Sequence, residues 1–509
     1  LLYASQAQCL YALDHLGIGG LAEFICEAEE WAEQLETWTD ERIRASPLYG
    51  LPISLKECVS VAGYDSPSGL VKNVGRPNRA DCLVTRLLKD QGAIPFILTA
   101  MPPSGLAMDS CNPVYGRVTN PHSLAHTSGG SSGGEGTLIA AYASPCGLGT
   151  DIGGSIRIPA AFCGVAGLAP SQNRISNKGM NTLTRYHVLH MRISIGPMAR
   201  HVDDLVLLMR ALLTADMFGL DPSVVPIPFN ESLYAPAVPL AHQLTIGHYG
   251  CFENTHCVKS VPAIRRTVDL ARRILEARGH RLVEFHLPSP EEAYRLGVLA
   301  ICLDGGQAAM DELHGEPNST NDLASYLVLR LPRPAKLLFA RVLGWHFGLP
   351  VRQAISGTFG LASLHELFQY TRQVEAYRER VWQTWVGVHD RPLDALICPV
   401  MPIVAPRLDE DTVYTLPAIG YTMAYNILGW PAGSLPVSRV CVEDLEATSA
   451  EASRLRRLGD KFNARVHEGQ ADSLNLPIGV QIVAPPFRDE VVLRVMKELE
   501  EDAQFWQSK

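Results

Sequence analysis

The chain has 509 residues, is 47% hydrophobic and 19% charged, and carries a net charge of −9 with a pI near 6.0. That balance supplies a large buried core and argues against non-specific nucleic-acid binding as the main activity. Twelve cysteines occur without a C-x-x-C pair, and Cys58, Cys146, Cys163 and Cys398 have apolar neighbours, which predicts reduced, buried thiols in an intracellular or cytosol-facing compartment. No run of about twenty apolar, uncharged residues is present, so no spanning helix is expected within it.

Residues 1–45 read as helical, with Trp31, Leu35 and Trp38 at helical spacing in the segment Leu21 to Arg44. Leu51-Pro52-Ile53-Ser54-Leu55-Lys56 reads as a strand with a lysine at its end, and strand alternation turns the following Glu57 to the opposite face. Asp81 to Lys89 is expected to be a short amphipathic helix closed by Gly92, and Ala93 to Leu98 a buried strand. A loop from Thr99 to Asn112 follows.

The stretch Gly129 to Pro170 dominates the chain. It joins Gly-Gly-Ser-Ser-Gly-Gly (129–134) to Thr-Asp-Ile-Gly-Gly-Ser-Ile-Arg (150–157) and interleaves Leu138, Ile139, Leu148, Ile152, Ile156 and Ile158 at burial-like density, unlike a linker. Gly153-Gly154-Ser155 offers a run of unshielded amides around one hydroxyl, which is how an oxyanion hole is made. Asp151 and Arg157 flank that hydroxyl and read as a scaffolding ion pair. The second glycine of the G-x-S-x-G elbow is replaced at Arg157, which argues against a Ser-His-Asp mechanism.

Beyond Pro170, Gly196 to Leu213 reads as a helix, followed by a proline-rich connection to about Pro239. Then come strand Leu244 to Tyr249, helix Pro262 to Arg278, strand Arg281 to Leu287, and a capping box at Ser289-Pro290-Glu291-Glu292 opening a helix to about Cys302. His187 and His190 lie three apart without a third ligand in the run, so no metal site is expected. Leu323 to His365 contains no acidic residue but carries Arg330, Arg333, Lys336, Arg341 and Arg352 among Leu337, Leu338, Phe339, Val342, Leu343 and Trp345, broken by Pro332, Pro334 and Pro350. Short, proline-broken apolar helices fringed by positive charge suit either a phospholipid interface or a buried hairpin. The closing third reads as strand Leu393 to Val400, a loop at Tyr425 to Gly433, strand Leu435 to Val440, a charged helix Glu443 to Val466, strand Leu476 to Val483 and helix Arg488 to Glu500. The alternation implies an α/β fold, a mixed twisted sheet covered by helices on both faces.

The two serine boxes, in order after the strand-end lysine, resemble the amidase signature of serine amidases, and the likeness runs over nearly the whole chain. It implies a single catalytic domain over 1–509 and a Ser-cisSer-Lys triad, with Ser155 as nucleophile, Ser131 as bridging serine and Lys56 as base. The boxes alone leave Ser132 open as the bridge; the family pattern favours Ser131. Ile152, Gly153, Gly154 and Ser155 would supply the oxyanion hole. Backbone of the Thr99–Gly105 loop borders the scissile carbonyl in relatives, which places Ser104 and Gly105 against substrate. That loop departs here from the usual asparagine, single proline and methionine, a difference that bears on positioning, not on the triad. A neutral lysine is required, so its ordinary pKa of about 10.4 must be lowered by burial without a carboxylate in contact. Within the family the likeness is strongest to the branch that cleaves fatty acid amides. That branch implies a small helical cap insertion at 323–365 that holds an intracellular protein, peripheral or monotopic, on the cytosolic face of a membrane, a lipid amide substrate and no cofactor, with a homodimer left open. The other readings are a soluble amidase of small or aryl amides, an ammonia-supplying amidotransferase subunit and a catalytically silent binding protein.

Overall fold

The computed structural model describes residues 1–181, 189–235, 243–253, 256–317, 328–410 and 412–506. One mixed sheet holds eleven strands: β1 Leu21–Phe24, β2 Pro52–Lys56, β3 Ile94–Thr99, β4 Cys146–Asp151, β5 Ala166–Ala169, β6 Ser194–Ala199, β7 Thr245–His248, β8 Arg281–Glu284, β9 Ala395–Pro399, β10 Ala432–Arg439 and β11 Pro477–Val483. Their spatial order is β1-β3-β2-β4-β6-β5-β10-β11-β9-β7-β8. Parallel pairs β3/β2, β2/β4, β9/β7 and β7/β8 lie to either side of an antiparallel centre. Strands β2, β3, β4, β6, β9 and β11 are buried at every residue, which requires cover on both faces.

Two glycines show how closely that cover approaches. A Cβ at Gly433 would lie 2.2 Å from Met496 Sδ of the Asp489–Ala503 helix. On the other face, a Cβ at Gly479 would lie 2.9 Å from Ala161 Cβ of the Arg157–Cys163 helix. The latter helix begins two residues after Ser155, so the packing of β11 fixes the direction in which the serine loop leaves the sheet.

Several elements differ from the sequence expectation. Leu21–Phe24 is not helical but pairs antiparallel with the outer edge of β3, between the helices Leu2–Asp14 and Ala28–Glu36. Ser194–Ala199 forms β6 before a helix at Val202–Leu212, so Gly196 to Ala199 is strand. Four apolar residues are too few to separate a period of 2 from one of 3.6. Ser289 forms no capping box: it sits in the left-handed region at φ 43° and its hydroxyl makes no cap bond, though the helix does start at Pro290. The segment read as a loop at Tyr425 carries the helix Gly420–Leu428, ended by Gly429 at φ 75°. The charged helix divides into Val442–Arg457 and Lys461–Glu468. All twelve cysteines are free thiols. His187, residues 236–239 of the proline-rich connection and residues 323–327 lie outside the described residues.

Because Gly479 has no room for a side chain, Gly479→Val should cost about 1–3 kcal/mol through overpacking, read as a lower urea midpoint. An unchanged midpoint would mean that β11 and the Arg157–Cys163 helix separate without penalty.

Candidate active site

Lys56 ends β2 beside β4, and its amine is carried into the space between the sheet and the Gly133–Ala140 helix. It is fully buried, and Nζ lies 2.8 Å from Ser131 Oγ, 3.0 Å from Ser132 Oγ and 2.8 Å from Thr150 Oγ1. All three neighbours are neutral hydroxyls. Burial pulls the amine from its ordinary value down to about 8, against a weaker opposing pull from Cys58, Asp151, Glu57 and Glu135. Glu57 turns away, as strand alternation predicts, and its Oε1 accepts the Met101 amide at 3.2 Å. Burial pushes the Glu57 carboxyl up to about 8.

The two serines of the first box have different surroundings. Ser132 Oγ accepts the Thr150 amide at 3.2 Å and donates to the Thr150 carbonyl at 3.3 Å, so it is tied to the β4 backbone. Ser131 has Lys56 as its hydroxyl's neighbour and follows a cis Gly130–Ser131 peptide bond. Ser155 is only partly buried, and its hydroxyl makes no hydrogen bond among the described residues. Its carbonyl accepts the Ser132 amide at 3.0 Å, which joins the two boxes directly.

Asp151 organises the turn between them. Its Oδ1 accepts the Gly154 amide at 2.8 Å and its Oδ2 the Ile156 amide at 3.1 Å, while Arg157 and Asn426 bind the same carboxylate. Burial alone would raise its pKa, yet the Arg157 guanidinium and these donors hold it down to about 2. Arg157 continues to the Thr422 carbonyl at 3.0 Å and Gln481 Oε1 at 2.6 Å. The expected ion pair is therefore present, and it also removes Gly154 from the expected set of oxyanion donors. The amides of Ile152, Gly153 and Ser155 have no acceptor among the described residues, and these three residues border a pocket.

That pocket has a volume of about 570 Å³ and runs from Gly105, Gly130 and Ser155 to the helices after residue 328. Among the described residues no charged one lines it. Its wall includes Tyr294 and Val298 of the Pro290–Ile301 helix, Leu343 and Ile355 of the Arg333–Phe347 and Leu349–Gly357 helices, and Ile419 and Met423 from the 413–423 segment. Gly105 borders it, but Ser104 does not: Ser104 is buried at φ 56°, and its hydroxyl has no partner among the described residues. The Pro290–Ile301 and 413–423 contributions were missed by sequence reasoning, since their apolar residues carry no motif. Thr150, within the second box, was equally unassigned.

The 328–357 helices have two unlike faces. Leu337, Leu338, Val342 and Trp345 are exposed, Trp345 at 88%, and Arg341 and Arg352 are exposed with them. Lys336 does not belong to that basic fringe: it is buried, and Nζ donates to the Gly305 carbonyl at 2.7 Å and the Thr358 carbonyl at 2.9 Å. Arg333 pairs with Glu366 at 3.1 Å. Pro334 and Pro350 sit in the first turns of their helices, where a missing amide costs nothing. His190 contacts Thr371 and Glu375. Among the described residues no helix is long and apolar enough to cross a membrane.

A sequence profile of the Amidase family matches residues 17–493. The chain is 41% identical over 460 residues to fatty-acid amide hydrolase 1 of Sus scrofa, covering 89% of this chain and 75% of that one. It is 34% identical over 507 residues to fatty acid amide hydrolase 1 of Caenorhabditis elegans, covering 96% and 82%. A solved structure of fatty acid amide hydrolase superposes with a TM-score of 0.76 at 24% identity, over 98% of this chain and 81% of that one, a likeness of fold. The serine boxes, the sheet that carries them and these matches agree: the chain belongs to the amidase family.

Proposed function

We propose that this amidase cleaves fatty acid amides, either long-chain primary amides or N-acylethanolamines, to the free fatty acid and ammonia or an amine. The observation that carries this reading is the pocket of about 570 Å³ that opens at Ser155 and is lined, among the described residues, by no charged side chain. An acyl chain needs apolar walls and no counter-ion, and a pocket of this size holds far more than an acetyl group. The resemblance of the chain to two fatty-acid amide hydrolases supports the same substrate class.

In the proposed mechanism Ser155 Oγ attacks the amide carbonyl while its proton passes to Ser131, and the Ser131 proton passes to neutral Lys56 Nζ, 2.8 Å away. The carbonyl oxygen becomes negative in front of the Ile152 and Gly153 amides, which lack acceptors and so need no rearrangement to bind it. Collapse breaks the C–N bond as the proton returns from Lys56 through Ser131 to the leaving nitrogen, which cannot depart unprotonated. Water then attacks the Ser155 ester by the reverse route, releasing the acid and restoring the serine. Ser132 holds the geometry, since its hydroxyl is committed to Thr150.

The chain acts as one catalytic domain, and residues 323–365 are its cap. Leu337, Leu338, Val342 and Trp345 stand outward on that cap beside Arg341, a surface suited to a phospholipid interface. A lipid amide would enter from the membrane beneath the helices that roof the pocket. On this reading the protein is intracellular, peripheral or monotopic on the cytosolic face of a membrane.

Burying a methylene contributes about 0.8 kcal/mol, so kcat/KM for monomeric amides in solution should rise about fourfold per added carbon until the pocket is full. A flat or falling series, together with unchanged liposome binding by a Leu337→Ser, Leu338→Ser, Trp345→Ser variant, would favour a soluble amidase of small or aryl amides instead.

With Lys56 as base, wild-type kcat/KM should fall about tenfold per pH unit below the lysine midpoint, because only the neutral amine accepts a proton. It should level off above about pH 8. Lys56→Ala should lose about 10²–10⁴-fold at neutral pH and climb with hydroxide without a plateau. An unchanged rate at neutral pH would remove Lys56 from the reaction.

A further inference from the structure

Behind Lys56 lies a group that the mechanism above does not use. Glu135 stands in the first turn of the Gly133–Ala140 helix, four residues after Ser131, and is completely buried. Its Oε2 lies 2.6 Å from Ser54 Oγ on β2, and its Oε1 2.9 Å from Thr99 Oγ1 on β3. Thr99 is the residue paired with Lys56 across the two strands, and Ser54 shares the face of β2 with Lys56. One carboxyl thus ties the helix that follows the serine box to both strands that hold the amine.

We propose that Glu135 works as a neutral carboxylic acid, a brace that positions Lys56 against Ser131 without giving the amine a counter-charge. This rests on the reading of Lys56 as the base. Two features of geometry support it. Other buried carboxylates in the fold have arginine, Asp151 with Arg157 at 2.9 Å and Glu490 with Arg174 at 2.6 Å, whereas Glu57, beside Lys56, has only a backbone amide among the described residues. Glu135 receives only two neutral hydroxyls, and neither it nor Lys56 joins an ion pair among the described residues. Second, Ser54 has one proton and two acceptors in reach, Glu135 at 2.6 Å and the Cys146 carbonyl at 3.2 Å. A protonated Glu135 resolves this by donating to Ser54, which then donates to Cys146.

Burial agrees in sign, raising the Glu135 carboxyl to about 7 against the hydroxyl bonds and Lys56, which pull it down. The titratable groups around this cluster are Lys56, Glu57 and Cys58 from β2 and its end, and Cys146 and Asp151 from β4. Of these, Asp151 is already neutralised by Arg157. An ionised Glu135 would favour the charged lysine and raise its pKa, withdrawing the base near neutral pH.

The test compares Glu135→Gln with Glu135→Leu. Glutamine keeps the shape and both hydrogen bonds and cannot ionise, so kcat/KM should stay within about threefold of wild type and the acid limb should keep its midpoint. Leucine removes the brace and should lose about tenfold or more at every pH. A midpoint lowered by about one unit in Glu135→Gln would show that a negative charge had been removed and would overturn the proposal. Equal rates for the two variants would overturn the brace. Should either variant fail to fold, wild-type protein labelled at the glutamate δ-carbon decides by NMR. The δ-carbon signal of Glu135, recognised by its proximity to the Ser54 and Thr99 side chains, should still be protonated at about pH 6, and an ionised signal there contradicts the proposal. Lys56→Ala tests the base itself, whereas Glu135→Gln leaves it in place, so failure of one reading is separable from failure of the other.

Discussion

The proposed site depends on a buried amine that has no counter-ion among the described residues. A lysine in water is charged, and a charged lysine cannot take a serine proton. Removing it from solvent penalises the ammonium, and surrounding it with hydroxyls instead of carboxylates leaves that penalty largely uncompensated. The chain meets this condition at Lys56 with Ser131, Ser132 and Thr150, at 2.8, 3.0 and 2.8 Å. Much of the surrounding architecture follows: β2 must be interior to carry the lysine, and the nearby glutamates must be kept from acting as partners.

The opposite solution stands a few residues away. Asp151 is as buried as Lys56 but is held ionised by Arg157, Asn426 and backbone amides. Its charge is spent on shape, since it fixes the turn that leaves the Ile152, Gly153 and Ser155 amides without acceptors. Removing either partner alone would leave an uncompensated charge in the interior, at about 3–5 kcal/mol. In the proposed mechanism the two devices keep their roles apart: a compensated charge holds the loop that would bind the oxyanion, and an uncompensated amine would supply reactivity.

What was legible in the sequence follows from how local each requirement is. Lys56, Ser131 and Ser155 were singled out because their short boxes resemble the amidase signature, and the structure brings Lys56 Nζ to 2.8 Å from Ser131 Oγ; the Asp151–Arg157 pair falls inside one of those boxes. Gly154 was assigned to the oxyanion hole because its amide is unshielded by a side chain, but sequence does not show that Asp151 takes that amide. Glu135 sits in plain view after the first box, yet its meaning needs Ser54, 81 residues earlier, and Thr99, 36 residues earlier. The pocket wall was hidden for the same reason, being assembled from apolar residues of distant helices. Among the elements, long periodic helices such as Pro262–Ala277 and Asp489–Ala503 were found within a few residues. Leu21–Phe24 and the helix at Gly420–Leu428 were not, because tertiary pairing and packing decide such short segments.

The direct measurement is the titration of Lys56 itself, in protein labelled with ζ-¹⁵N lysine and assigned by comparison with Lys56→Ala. One lysine signal should lose its proton with a midpoint of about 8, far below its surface neighbours. A midpoint at the ordinary value of about 10.4 would contradict the neutral-amine mechanism, whatever the activity of the variants.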